Sequence, residues 1–293
     1  MTKTAWVFPG QGSQVPGMGI DLLDIPSAKD KFAQAEAILG WSVTDICQSD
    51  GEQLLRTLYT QPSLYVVETI LADLIRERGH QPDLVAGHSL GEYTALYVAG
   101  VFDWAVGLHL VKRRAELMDA VSGGMMAALM NFDREQLDMV IAKTPDVVLA
   151  NDNSPAQVVI SGTPDGVHQV MSQVKTKRAI PLKVSGAFHS PLIAAAAIEF
   201  QEILDAVEFQ PANLPVVSNV EPLPTVDAEI LKERLIQQMT GSVRWREISL
   251  LLPTHGIEQV IEIGPGNVLT GLIKRTSPGL SLKNIRNAAE LPD

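Results

Sequence analysis

The chain has 293 residues, 46% hydrophobic and 19% charged, enough to bury a substantial core in one large domain or two smaller ones. Its 23 basic against 34 acidic residues leave a formal charge of −11, which argues against a nucleic-acid partner, since that would need a basic face. Cys47 is the single cysteine, which excludes an intramolecular disulfide and fits a reducing compartment. No apolar run reaches the roughly 20 residues of a membrane helix, and the first nine residues lack the apolar stretch of a signal peptide. A cytoplasmic protein that avoids membranes is expected.

Residues 4–8 predict a short strand that runs into the loop Pro9-Gly10-Gln11-Gly12-Ser13. Leu64, Val67, Leu71, Leu74 and Ile75 mark one face of a helix that ends near Gly79. Residues 84–86 predict a strand leading to Gly87-His88-Ser89-Leu90-Gly91, followed by the helix-forming Glu92-Tyr93-Thr94-Ala95-Leu96. From Asp103 a second helical pattern carries Trp104, Leu108, Val111 and Met118. Alternating strands and helices imply a mostly parallel sheet covered on both faces.

The middle of the chain reads differently. Strands are expected at 125–130, 147–150, 158–161 and 180–184, and helices at 134–142 and 164–174, with a turn at Asn153-Ser154-Pro155. Pro164 sits at an early position of its helix and Asp165 in the first turn. The order β-α-β-β-α-β is the ferredoxin-like arrangement. Residues 125–185 are therefore expected to form a small ferredoxin-like subdomain inserted into a larger α/β-hydrolase-like domain made of residues 1–124 and 186–293. Beyond it come an Ala-rich helix at 191–207, a strand at 216–220, helices at 228–239 and 245–252, and a strand at 260–263 that enters Gly264-Pro265-Gly266-Asn267.

Gly87 to Gly91 match the G-x-S-x-G nucleophile elbow, in which a serine on a sharp strand-to-helix turn presents its Oγ above a sheet. The flanking glycines remove Cβ atoms that would clash in the turn. The helix N-terminus that follows favours developing negative charge. The pattern is loose by itself, but its strand–turn–helix context points to covalent acyl chemistry at Ser89. Six histidines are available as base: His80, His88, His109, His168, His189 and His255. Four of them fall in helices or at helix ends, and His88 should point away from its neighbour in an elbow. His189 is the best candidate. It lies in the irregular Ser185-Gly186-Ala187-Phe188-His189-Ser190-Pro191 after a predicted strand, and loops at strand ends are where active-site groups collect. No carboxylate stands in a diagnostic context as the third member of a triad. A backbone carbonyl can hold an imidazole tautomer in its place.

These residues together resemble the malonyl-CoA:acyl carrier protein transacylases, whose fold is shared with the acyltransferase domains of polyketide synthases. The resemblance covers essentially the whole chain. It rests on Phe8-Pro9-Gly10-Gln11-Gly12-Ser13-Gln14, Thr60-Gln61-Pro62, Gly87-His88-Ser89-Leu90-Gly91-Glu92-Tyr93, Arg114, Asn153-Ser154-Pro155, Gln157-Val158-Val159-Ile160-Ser161-Gly162, Gly186-Ala187-Phe188-His189 and Glu262-Ile263-Gly264-Pro265-Gly266. It implies Ser89 as nucleophile, His189 as base, and the backbone N–H groups of Gln11 and Leu90 as oxyanion hole. Arg114 would pair with the free carboxylate of a malonyl group. Without the family, Arg114 in the basic stretch Lys112-Arg113-Arg114 would read as a solvated helix face. Gln61, Met118, Phe188 and Val268 would line the acyl site, although Met118 and Val268 could equally be ordinary core. Phe188 next to His189 matches the relatives that take malonyl rather than methylmalonyl, a preference of about 1–3 kcal/mol for one methyl. Relatives often carry Gln before the Trp of a Val-x-Trp segment, where this chain has Arg244; the resemblance assigns the backbone carbonyl at that position to orient the histidine.

The implied substrates are malonyl-CoA and the phosphopantetheine arm of acyl carrier protein, with no metal or redox cofactor, and a monomer is expected. Carrier proteins are acidic and so is this chain, so docking requires a local basic patch. Lys175, Lys177 and Arg178 of the small subdomain, with Lys274 and Arg275, are candidates; a solvated surface run is the plainer reading. Two other functions share the elbow and the histidine: a serine esterase or thioesterase, and an idle binding module that presents a carrier protein. Fatty acid and polyketide pathways both fit the sequence.

Overall fold

The computed structural model describes residues 2–49 and 51–293. In chain order the elements are β1 (Thr4–Phe8), α1 (Pro26–Leu39), α2 (Val43–Gln48), α3 (Thr57–Glu77), β2 (Leu84–Gly87), α4 (Gly91–Val98) and α5 (Trp104–Ala120). They continue with β3 (Met125–Phe132), α6 (Arg134–Ile141), β4 (Val147–Ser154), β5 (Gln157–Gly162), α7 (Pro164–Gln173) and β6 (Thr176–Pro181). The last are α8 (Ala194–Asp205), β7 (Val216–Val217), α9 (Ala228–Gln238), α10 (Trp245–Thr254), β8 (Gln259–Ile263), α11 (Val268–Thr276) and β9 (Ser281–Ile285).

Among the described residues the strands form two sheets. One is parallel throughout, in the order β7-β2-β1-β8-β9. Alternate residues of β1 feed its two faces. Trp6 and Phe8 join a large core with residues of α1, α3, α4, α5, α8 and α9, while Ala5 and Val7 join a smaller one with α10 and α11. Period-two alternation with apolar residues on both sides is what a sheet covered on both faces requires. Asp103, Asp133, Thr163 and Asp227 each cap a helix, accepting a hydrogen bond from the backbone N–H three residues on.

The second sheet is antiparallel, in the order β4-β5-β3-β6. One of its faces packs under α6 and α7, and the other turns Met126, Ala128 and Val159 toward the main body. One expected strand is displaced and another is longer than expected. The strand expected at 180–184 is β6, at 176–181. It is an edge strand, so Lys177 and Arg178 can remain exposed on it, and the apolar Leu182 and Val184 leave the sheet to line a cavity. The strand expected at 147–150 is β4, which extends to Ser154 through two register irregularities. Its polar far end meets the main body: Asp152 N donates to Val243 O and Val243 N to Ala150 O, in the segment between α9 and α10, while the Asp152 and Asn153 side chains reach Arg246 and His88. β7 is two residues long where five were expected. α1, α2, α11 and β9 add to the elements expected from sequence.

Candidate active site

β2 ends at Gly87 and α4 begins at Gly91, with His88, Ser89 and Leu90 between them. A Cβ on Gly87 would lie 1.9 Å from the Gly91 carbonyl, and one on Gly91 would lie 2.0 Å from Phe8 O, so only glycine fits at either position. Ser89 has φ 52°, in the left-handed region that disfavours residues with a side chain. Asn219, just beyond β7, holds this turn from below. Its Oδ1 accepts from Ser89 N at 2.7 Å and its Nδ2 donates to Gly87 O at 2.6 Å. His88 turns away, its Nε2 2.8 Å from Asn153 Oδ1 on β4.

His189 lies in the segment between β6 and α8, also left-handed at φ 56°. Its Nε2 is 2.8 Å from Ser89 Oγ. Its Nδ1 faces two carbonyls, Gln238 O at 2.9 Å and Gly241 O at 3.1 Å, and its backbone N donates to Met239 O. Carbonyls only accept, so Nδ1 carries the proton and Nε2 is left to accept from the Ser89 hydroxyl. The carbonyl expected to orient the histidine, that of Arg244, does not do so. Arg244 instead donates its backbone N to Asn219 O and its guanidinium to Glu247 and to Val220 O. The last carbonyls of a helix have no intrahelical partner, and the end of α9 aims its own at His189. Burial, and after it the charge of Arg114, push the His189 imidazole down to about 3, so it is neutral over the ordinary range.

Arg114 is fully buried on α5, not on a solvated face. Its Nη2 donates to Ser89 Oγ at 3.0 Å and to Gln238 Oε1 at 3.1 Å, and its Nη1 donates to Gln61 Oε1 at 2.8 Å. The Tyr93 ring lies 5.4 Å from the guanidinium. Gln238 also donates from Nε2 to Ser89 O at 2.9 Å and to Glu92 Oε2 at 2.7 Å. Glu92 Oε2 accepts further from Asn219 N, and burial pushes its carboxyl up to about 7. Asn219, Gln238 and Glu92 were not singled out in the sequence. Asn219 and Gln238 meet Ser89 across 130 and 149 residues of chain, and no local pattern marks them. Glu92 stands inside the elbow motif, which was its only signal.

Ser89 opens into a cavity of about 380 Å³ between the main body and the inner face of the second sheet. Gln11, Leu90 and His189 line it beside Ser89. So do Gln61, Met118, Phe188 and Val268, of which Val268 is 43% exposed. The Gln11 side chain is held by Thr57 Oγ1. Lys177 and Arg178 stand exposed on β6, Lys175 is exposed just before it, and Lys274 and Arg275 are exposed at the end of α11, whose first turns carry the cavity residues Val268, Leu269 and Leu272. None of these cations lines the cavity. Among the described residues there is no cluster of His, Cys, Asp and Glu fit to hold a metal ion, and no helix is long and apolar enough to cross a membrane.

The acyl transferase domain family matches residues 5–292 of the chain. The chain is 60% identical over 289 residues to the malonyl CoA-acyl carrier protein transacylase of Synechocystis sp., covering 99% of each. The crystal structure of that enzyme superposes with a TM-score of 0.98. A polyketide-biosynthesis malonyl CoA-acyl carrier protein transacylase of Bacillus subtilis is 44% identical over 92% of this chain and 96% of its own. A malonyl-transacylase solved in complex with a type II polyketide synthase acyl-carrier protein is 37% identical, with a TM-score of 0.93 over 99% of this chain and 98% of that one.

Proposed function

The chain belongs to the acyl transferase domain family, and from that footing we propose that it moves the malonyl group of malonyl-CoA to the phosphopantetheine thiol of acyl carrier protein through a malonyl ester of Ser89. The observation that carries this reading is the position of Ser89 Oγ, between His189 Nε2 at 2.8 Å and a buried guanidinium at 3.0 Å. The first is a general base for an acyl nucleophile; the second is a fork that matches a carboxylate in two parallel hydrogen bonds, which lysine cannot copy.

In the first half-reaction the Ser89 proton passes to His189 Nε2 as Oγ attacks the thioester carbonyl. The backbone N–H groups of Gln11 and Leu90 receive the oxyanion, a contact worth about 100- to 1000-fold in enzymes of this general type. The C–S bond then breaks, and His189 returns the proton to the leaving CoA sulfur. In the second half-reaction His189 takes the proton of the carrier thiol, the thiol attacks the ester, and Ser89 is regenerated. One thioester replaces another with no change of oxidation state, so the chemistry calls for no redox cofactor. Negative potential at the C-terminal end of α9 supports the imidazolium in each step.

The same reading takes residues 1–124 and 186–293 as an α/β-hydrolase-like domain and 125–185 as a ferredoxin-like insertion. The enzyme works in the cytoplasm, as a monomer, supplying malonyl units to fatty acid synthesis. Lys177, Arg178, Lys274 and Arg275 receive the acidic carrier. The test is to incubate the protein with labelled malonyl-CoA, locate added mass at Ser89, and then add holo acyl carrier protein. Transfer to the carrier supports the proposal. Rapid release of free malonate would make the protein a hydrolase, and absence of an adduct would make it a binding module.

A further inference from the structure

We propose that the carboxylate of the acyl group switches the nucleophile on. In the free enzyme Arg114 caps Ser89 Oγ, and a carboxylate carried by the bound acyl chain draws the guanidinium off and offsets its charge. This rests on the malonyl reading of the site and adds a kinetic consequence to it.

Two observations lead here. The first is the company Arg114 keeps. The residue is fully buried, and its hydrogen bonds run to three neutral oxygens, those of Gln61, Gln238 and Ser89, while Nε has no partner. Glu92 is reached only through Gln238. A buried charge without a countercharge hydrogen-bonded to it is costly. The fold therefore holds ready a cation whose natural complement is an anion entering the cavity. The second observation is where the guanidinium waits. Ser89 Oγ donates its proton toward His189 and accepts from Arg114 Nη2, so one of its two lone pairs is occupied. The same positive charge faces the imidazole that must become positive as Oγ attacks, and it helps to hold the His189 pKa down.

When a malonyl group enters, its carboxylate takes the fork of Arg114. The guanidinium exchanges partners without any proton transfer. Oγ gains a free lone pair, and the charge opposing the imidazolium is offset. Acylation then proceeds with the Oγ–C bond forming, the proton passing to Nε2 and on to the CoA sulfur, and the C–S bond breaking. The carboxylate remains on Arg114 in the malonyl ester, so His189 is also the stronger base when the carrier thiol attacks. Once the malonyl group leaves, the cap returns. An acetyl group lacks the carboxylate and meets the capped serine, so the enzyme discriminates in the acylation rate constant as well as in binding.

The test separates this switch from simple recognition. Formation of acetyl-Ser89 from acetyl-CoA is followed by mass in the full-chain enzyme, with sodium formate replacing chloride at constant ionic strength. Formate is a carboxylate small enough to share the cavity with an acetyl group. The expected result is a saturable acceleration of at least about fivefold. In Arg114→Ala, acetyl loading should be fast without formate and insensitive to it. Acetyl loading that formate leaves unchanged or slows, with malonyl-CoA still labelling Ser89, overturns the switch and leaves the malonyl reading standing. Slower acetyl loading in Arg114→Ala than in the parent enzyme also overturns it. Failure of malonyl-CoA to label Ser89 at all removes the reading on which the switch depends.

Discussion

Ser89 and His189 face each other from two left-handed backbone positions, φ 52° and 56°, each of a kind that costs of order 1–3 kcal/mol and persists only when its surroundings hold it. Asn219 holds Ser89 and the end of α9 holds His189, so the strain is spent on aiming two side chains at one point. Arg114→Ala should lower malonyl loading of Ser89 by about 100-fold or more, from the loss of two charge-assisted hydrogen bonds. Loading measured by mass should show no loss for acetyl, and equal loss for both acyl groups would count against the carboxylate role. Glu92 permits a prediction about stability. Its carboxyl rises from 4.5 to about 7 on folding, so between those values the folded chain holds a proton that the unfolded chain has released. Its contribution to stability is present below the window and is lost as pH rises through it. Glu92→Gln should remove that loss, read as a smaller difference between denaturation midpoints at the two ends of the window. An unchanged difference would mean that Glu92 is ionised in the fold.

At the scale of elements, three segments carry more of the site than their patterns announce. The last residue of α9 and the turn after it present the carbonyls of Gln238 and Gly241 to His189 Nδ1, the place that a triad acid would take in the proposed reading. β4 runs past its apolar residues because Asn153 reaches His88 and Asp152 reaches Arg134 and Arg246. β6 is an edge strand, so Lys177 and Arg178 remain in solvent, available to an acidic partner. Charge reversal at both, Lys177→Glu with Arg178→Glu, should slow transfer to acyl carrier protein by about tenfold or more at low salt, as expected for lost electrostatic steering. Malonyl-Ser89 formation should be unaffected. If both half-reactions slow alike, the patch is not where the carrier docks. Helical periodicity located α3 and α5 because their apolar faces repeat. It could not place the ends of β4 and β6, where side-chain partners from other elements, rather than the pattern, decide where pairing stops.

At the scale of the whole molecule, the cavity exists because two sheets are held face to elbow. Asp152 is one tie between them. It is buried on β4 and shared by Arg134 of the second sheet's own helix and Arg246 of α10. Both arginines are partly exposed, so the pairs are discounted for solvent. Asp152→Asn should cost about 1–2 kcal/mol. The cost should appear as a lower urea midpoint with an unchanged slope, and an unchanged midpoint would assign the joint to the Ala150–Val243 backbone pairing alone.

The sequence by itself determined the chemistry on offer. The elbow needs Gly87 for a steric reason that acts within five residues, whereas Gly91 is required by the Phe8 carbonyl of β1; strand–helix alternation dictates a covered parallel sheet, and Gly186-Ala187-Phe188-His189 marks the proposed base by its loop. Tertiary structure alone decided which groups those residues meet. The carbonyls that fix His189 belong to Gln238 and Gly241 and not to Arg244, because every residue has a carbonyl and only the path of the chain selects one. Arg114 became a buried cation, and not a solvated face, because α5 packs against α3 and beneath the elbow. Asn219 and Gln238 became part of the site through contacts closed across more than a hundred residues, a distance at which local pattern carries no information.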